Sequence, residues 1–231
     1  MLDLKGLEYE LAEVLPGMQR VHLRLAGFRG GTVPALKLDG RRIQGSREIA
    51  RALEELRPEP ALFPSDPAQR ERVEEAERWG DEELQSVPRR IMRWGLVRDV
   101  DLRRWLGERS NAPAPAVAAR LSGLNARYYA WLVDADEAAV RRDLAELPTS
   151  MNRADALLAD GTLTTSPPNA ATLQVLSTIR SLDAMADLHE YVGSHPSAAA
   201  ARELFPDALE PVPSFLPHEM LAAISSTSPT R

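Results

Sequence analysis

Pro34 and Ser46 are the residues of this 231-residue chain whose types and spacing point to chemistry. Thr32-Val33-Pro34-Ala35-Leu36 reads as a short strand running into a proline. Asp39-Gly40 is a hairpin turn signal, and Arg41 to Gln44 is the return strand. Gly45-Ser46-Arg47-Glu48-Ile49 then opens a helix. Cis peptide bonds are essentially confined to proline, so Pro34 can hold a turn that other residues cannot. Ser46 is placed to cap the helix, whose first N–H groups carry a partial positive charge and lack intrahelical partners. A hydroxyl at that place adds a donor for a carboxylate. Alone, Pro34 reads as an edge-strand proline and Ser46 as a cap. Together, across the hairpin, they read as a ligand site.

The elements that must position them follow from periodicity. Residues 8–14 alternate as a strand, and Pro16-Gly17 is a turn. Val21, Leu25 and Phe28 recur at helical spacing. The strand at 32–38, the hairpin and a helix carrying Ile49, Ala50, Leu53 and Leu56 complete a strand–helix–strand–strand–helix order. Residues 57–67 are proline-rich and form the best domain boundary. Everything beyond reads helical. One long helix runs through Val73, Trp79, Leu84, Val87 and Ile91, with a bend expected at Pro88. Asn111-Ala112-Pro113 starts another, with Val117, Leu121, Leu124, Tyr128 and Leu132 expected inward. Asp136 caps a third, carrying Val140, Leu144 and Met151, with Pro148 expected to interrupt it. Asn169 caps a helix that is apolar nearly all round and belongs at the centre of a helical domain. A short helix spans Ala198–Leu204, and residues 225–231 read as a disordered tail.

Composition narrows the function classes. The net charge is −6 with Arg interspersed among Asp and Glu, so no basic nucleic-acid stripe exists. There is no cysteine, which excludes disulfides, thiolate metal sites and a cysteine nucleophile in this chain. No apolar run reaches the roughly 20 residues of a membrane span, and the N-terminus lacks signal-peptide character, so a cytoplasmic location is expected. His22, His189, His195 and His218 show no ligand spacing, and no metal is assigned.

A small strand-and-helix domain, a proline-rich linker and an all-helical domain resemble the glutathione S-transferase family. Leu62-Phe63-Pro64-Ser65-Asp66-Pro67 is similar to its interdomain linker, and Pro168-Asn169-Ala170-Ala171-Thr172-Leu173 to the cap of its central helix. The resemblance implies a thioredoxin-like domain at 1–57, a linker at 58–67 and a helical domain at 68–224. It implies glutathione as substrate, with the Val33 backbone pairing with the cysteinyl backbone and Pro34 in the cis form. Ser46 would bind the γ-glutamyl carboxylate. Gly45 stands where the family usually has Glu or Gln, so a side-chain bond to the glutathione amine is missing there. Thr172 stands where the family usually has Asp. The resemblance also implies a homodimer.

The resemblance makes the chain a shortened member. Its first strand, which in the family ends beside the Tyr, Ser or Cys that activates the thiol, has no room before Glu8, and the natural start is expected upstream of Met1. No catalytic residue is therefore assigned. Tyr9 reads as packing or surface. Arg20, Arg24 and Arg29 lie near the expected ligand, and Arg89, Arg90 and Arg93 lie on the long helix that, by the resemblance, borders the active cleft and the dimer interface; the solvated reading leads for each. Two functions stand: transfer of glutathione or a related thiol to small electrophiles, or a non-catalytic binding module of the same fold.

Overall fold

The computed structural model describes residues 1–12, 18–110, 114–207 and 209–225, without the side chains of 223 and 225. The expected strand at 8–14 is not formed over Glu8–Ala12, and its remaining residues lie outside the described ones. The reason is burial. Alternation needs a face to cover, and residues 8–12 are all exposed, Leu11 at 76%.

Met1–Leu7 instead form a turn closed by Gly6 N–H to the Asp3 carbonyl at 2.9 Å and Leu7 N–H to the Leu2 carbonyl at 3.1 Å. This is the hydrogen-bond pattern of a helix C-terminus. It places Lys5 in the interior. The Lys5 ammonium donates to Glu54 at 2.5 Å and to the carbonyls of Arg57, Pro60 and Pro58 at 2.7, 2.8 and 3.2 Å. Glu54 in turn accepts from the amides of Leu62 and Phe63 at 3.0 and 3.3 Å. One buried cation thus joins the N-terminal turn, the end of a helix and the proline-rich segment.

Helix α1 (Gln19–Leu25) precedes an antiparallel hairpin, β1 (Ala35–Leu38) and β2 (Arg41–Gln44), paired from Ala35↔Gln44 to Leu38↔Arg41. Asp39 and Gly40 both adopt positive φ, as a two-residue hairpin of this kind requires. The ladder begins at Ala35 because Pro34 has no N–H to donate. Helix α2 (Ser46–Leu56) buries Ile49, Ala50, Ala52 and Leu53.

The rest is helical: α3 (Pro67–Trp79), a π-helical turn (Gly80–Leu84), α4 (Ser86–Arg98), α5 (Val100–Arg109), α6 (Pro115–Leu121) and α7 (Gly123–Trp131). They are followed by α8 (Glu137–Ala159), α9 (Ala170–Asp183), α10 (Ala186–Gly193), α11 (Pro196–Leu204) and α12 (His218–Ser225). Helix α9 is the centre, buried on nearly every side and packed by α3, α10 and α11. Its Asn169 cap accepts from Thr172 N–H at 2.9 Å and donates to the Thr162 carbonyl at 2.8 Å. The Thr172 hydroxyl bonds the same Asn169 oxygen, and Ala170 N–H reaches the Leu62 carbonyl at 2.9 Å.

Three helical expectations are corrected. The long helix is interrupted at 80–84, not at Pro88, which sits in the first turn of α4 where a missing N–H costs nothing. Gly80 belongs there because a Cβ would come within 2.9 Å of Val175 on α9. Pro148 does not interrupt α8; Leu144, Leu147 and Met151 are fully buried around it, and their packing outweighs one lost backbone bond. The helix expected to start at 111–113, residues outside the described ones, is two helices broken at Ser122, and its apolar stripe faces outward. Val117, Leu121, Leu124 and Tyr128 are 53, 77, 77 and 44% exposed. Helix α5 was not expected from the sequence; Asp99 caps it through the amides of Asp101 and Leu102.

Candidate functional site

The hairpin brings the ends of two segments together. Gly45 N–H donates to the Pro34 carbonyl at 3.0 Å, so the turn at Val33–Pro34 and the start of α2 are bonded neighbours. The Val33–Pro34 peptide is cis, as the sequence resemblance implies. Among the described residues the Val33 backbone has no hydrogen-bond partner, and the residue is 53% exposed. Gln44 braces the loop before it, accepting from Gly30 N–H at 2.9 Å and donating to the Thr32 carbonyl at 2.6 Å.

Ser46 is not the cap. Gly45 occupies that position with φ 101° and ψ 141°, and Ser46 is the first helical residue. The non-helical conformation of a cap lies here in a region open to glycine and strained for other residues. Gly45 has no side chain to satisfy the first amides, so these N–H groups are left for another acceptor. The Ser46 hydroxyl is turned toward Asp81 on the π-helical turn, 3.4 Å away.

Below this point α2 and α3 are held by charge. Arg51 bonds Glu77 at 2.8 Å, and Arg47 bonds Glu82 at 3.1 Å. Burial pushes the Glu77 carboxyl above the usual carboxylate range even though Arg51 and Arg47 favour its charged form. The hydrogen bond that Arg51 donates to Glu77 raises the Arg51 pKa. Sequence reading did not assign a role to Asp81 or Glu77. The signal was present in the acidic positions 77, 81 and 82 opposite Arg47 and Arg51, but pairing across helices is invisible until the helices are placed.

The arginines separate into different environments. Arg90 makes a bidentate pair with Asp143, at 2.6 and 2.5 Å, and joins α4 to α8. Arg89 bonds the neutral Gln85 at 2.7 Å. Arg93 lies over the Tyr129 ring at 5.0 Å. Arg20 links the loop before the hairpin to α7: its stem lies across Gly31, where a Cβ would come within 2.6 Å of it, and its guanidinium donates to the Tyr128 hydroxyl at 3.1 Å. Arg24 and Arg29 are exposed. Tyr9 donates to Asp3 at 3.3 Å, and that bond holds its phenol above the usual value. A cavity of about 600 Å³ opens between α4, α5 and α9, with Gln85, Arg89 and Met92 on its α4 wall and Trp105 and Met185 opposite. Among the described residues no group of His, Cys, Asp or Glu is placed to hold a metal ion.

Residues 1–61 match the family model of the glutathione S-transferase N-terminal domain. The match spans the hairpin and α2. The fold of the rest agrees with it. A crystal structure of a glutathione S-transferase from Rhodospirillum rubrum F11 superposes with a TM-score of 0.52 at 20% identity, over 96% of this chain and 90% of its own. No curated protein sequence matches the chain. The glutathione S-transferase fold therefore accounts for the order seen here: a thioredoxin-like unit with the hairpin, then a helical unit around α9. Among the described residues the hairpin is the whole of the sheet. Among the described residues no helix is long and apolar enough to cross a membrane.

Proposed function

We propose that this chain binds glutathione, or a related low-molecular-weight thiol, and transfers it to small electrophiles. The observation that carries the reading is the unpaired Val33 backbone bonded, through Pro34 and Gly45, to an uncapped helix start. The γ-glutamyl carboxylate would meet the first amides of α2 and the Ser46 hydroxyl. Its ammonium would meet Asp81, which takes the place of the side chain that Gly45 lacks. The Val33 backbone would pair with the cysteinyl unit, leaving the sulfur pointed into the cleft below α7. The acceptor would lie against α4 with its apolar part in the cavity beside Met92. Attack by the thiolate forms a carbon–sulfur bond; the leaving group departs with the bonding pair, or an unsaturated acceptor takes a proton from water.

This reading carries a division into a thiol-binding unit at 1–57, a linker at 58–67 and a helical unit at 68–224, in a cytoplasmic homodimer. No residue of the chain is assigned to activate the sulfur. Tyr9 is directed to Asp3, and its raised phenol favours the neutral form. That observation supports the second reading, a binding module without turnover. Calorimetric titration with glutathione and a conjugation assay with chlorodinitrobenzene separate the two. Binding with turnover supports the transferase, binding without turnover supports the module, and no binding at millimolar glutathione removes both.

A further inference from the structure

Arg93 is a half-buried cation on α4 with no carboxylate partner among the described residues. Its guanidinium rests on the Tyr129 ring, 5.0 Å from the centroid. Burial and the neighbouring charge of Arg89 lower its pKa, and the only favourable influence comes from Tyr129. Arg89 lies one helical turn before it, also without an ion pair, bonded to the neutral Gln85. Like charges at this spacing repel. The third arginine of the group, Arg90, is fully used by Asp143. Among the described residues these two neighbouring cations thus have no ion pair, in a chain whose net charge is −6.

Their place is specific. The Tyr129 hydroxyl is 3.5 Å from Gln19 on α1, and the neighbouring Tyr128 accepts from Arg20, whose stem lies across Gly31, two residues before Val33. Arg89 lines the apolar cavity together with Met92 and Trp105. Arg89 thus borders the apolar pocket, and Arg93, one turn on, rests on the tyrosine that reaches α1.

We propose that Arg93, with Arg89, is an oxyanion subsite, so the acceptor that fits this cleft is an apolar electrophile carrying a carboxylate or sulfonate. The proposal rests on the thiol-transfer reading for the acceptor's role, but the subsite itself is set by the two arginines. A guanidinium offers paired donors to such a group, and a ring face holds it in one orientation at small entropic cost.

The test compares S-benzylglutathione with S-(para-carboxybenzyl)glutathione by calorimetry, and anilinonaphthalene sulfonate with the neutral N-phenylnaphthylamine by fluorescence. Arg93→Met is expected to weaken the carboxybenzyl conjugate and the sulfonate dye about ten-fold while the neutral ligands change by less than about two-fold. Arg93→Lys should restore part of the loss, and Arg89→Met should move the same ligands in the same direction without disturbing the Tyr129 contact. Equal loss for charged and neutral ligands, or none for either, overturns the subsite. If the wild type binds neither conjugate yet Arg93→Met still removes its preference for the sulfonate dye, the thiol reading fails and the subsite stands. If both conjugates bind and the arginine variants leave their ratio unchanged, the thiol reading stands and the subsite falls.

Discussion

The amide of Gly45 and the carbonyl of Pro34 are 3.0 Å apart, and this single bond fixes the start of α2 against the turn that exposes Val33. It joins two features that are each common in proteins. A donor-rich helix start and an unpaired loop backbone are ordinary separately. Bonded to each other, they are the pair on which the proposed thiol site rests.

Gly45 should be intolerant of a side chain. Its φ of 101° lies where L-residues are strained, and a Cβ would meet the Glu48 carboxylate at 2.5 Å. The Glu48 side chain can swing away, so the backbone strain dominates. Gly45→Ala is expected to lower stability by about 1–3 kcal/mol in urea unfolding and to weaken glutathione binding with it.

Lys5 should be among the most sensitive side chains. It is fully buried and satisfies Glu54 and the carbonyls that end α2. Lys5→Met keeps the volume but leaves a carboxylate and several carbonyls facing an apolar group. A loss of about 3 kcal/mol in unfolding free energy is expected. A change below about 0.5 kcal/mol would show that water replaces the ammonium.

Glu77 gives a pH dependence with a defined sign. Its carboxyl is held above the ordinary value of 4.5, chiefly by burial. Between 4.5 and the raised value the folded chain keeps a proton that the unfolded chain releases, so its contribution to stability falls as pH rises through that window. The stability difference between the wild type and Glu77→Gln should therefore shrink from acidic toward neutral pH, measured as the urea midpoint at each pH. A difference that grows with pH would mean that the Arg51 pair outweighs burial.

Much of this architecture is legible before folding, and the exceptions have physical causes. Asp39-Gly40 specifies its turn because both residues tolerate positive φ, and the hairpin falls where it was expected. Asn169 specifies a cap because its side chain mimics the missing acceptor. Ser46 has the right chemistry for a cap but lost the position to Gly45, since composition cannot show which of two adjacent residues takes the non-helical conformation. The stripe from Val117 to Tyr128 has helical spacing, which identifies a face but not what covers it. The isolation of Arg93 became visible only once Arg90 was seen to take Asp143.

The most direct test of the central claim is calorimetric titration of glutathione into the wild type and Ser46→Ala. Ser46 is not the cap and its hydroxyl bonds Asp81 only at 3.4 Å, so the variant should fold normally. The account predicts that the wild type binds glutathione and that Ser46→Ala binds it about ten-fold more weakly, with an unchanged melting temperature, as expected for a lost hydrogen bond to a carboxylate. Equal affinity in the two proteins, or no binding by the wild type at millimolar glutathione, would contradict it.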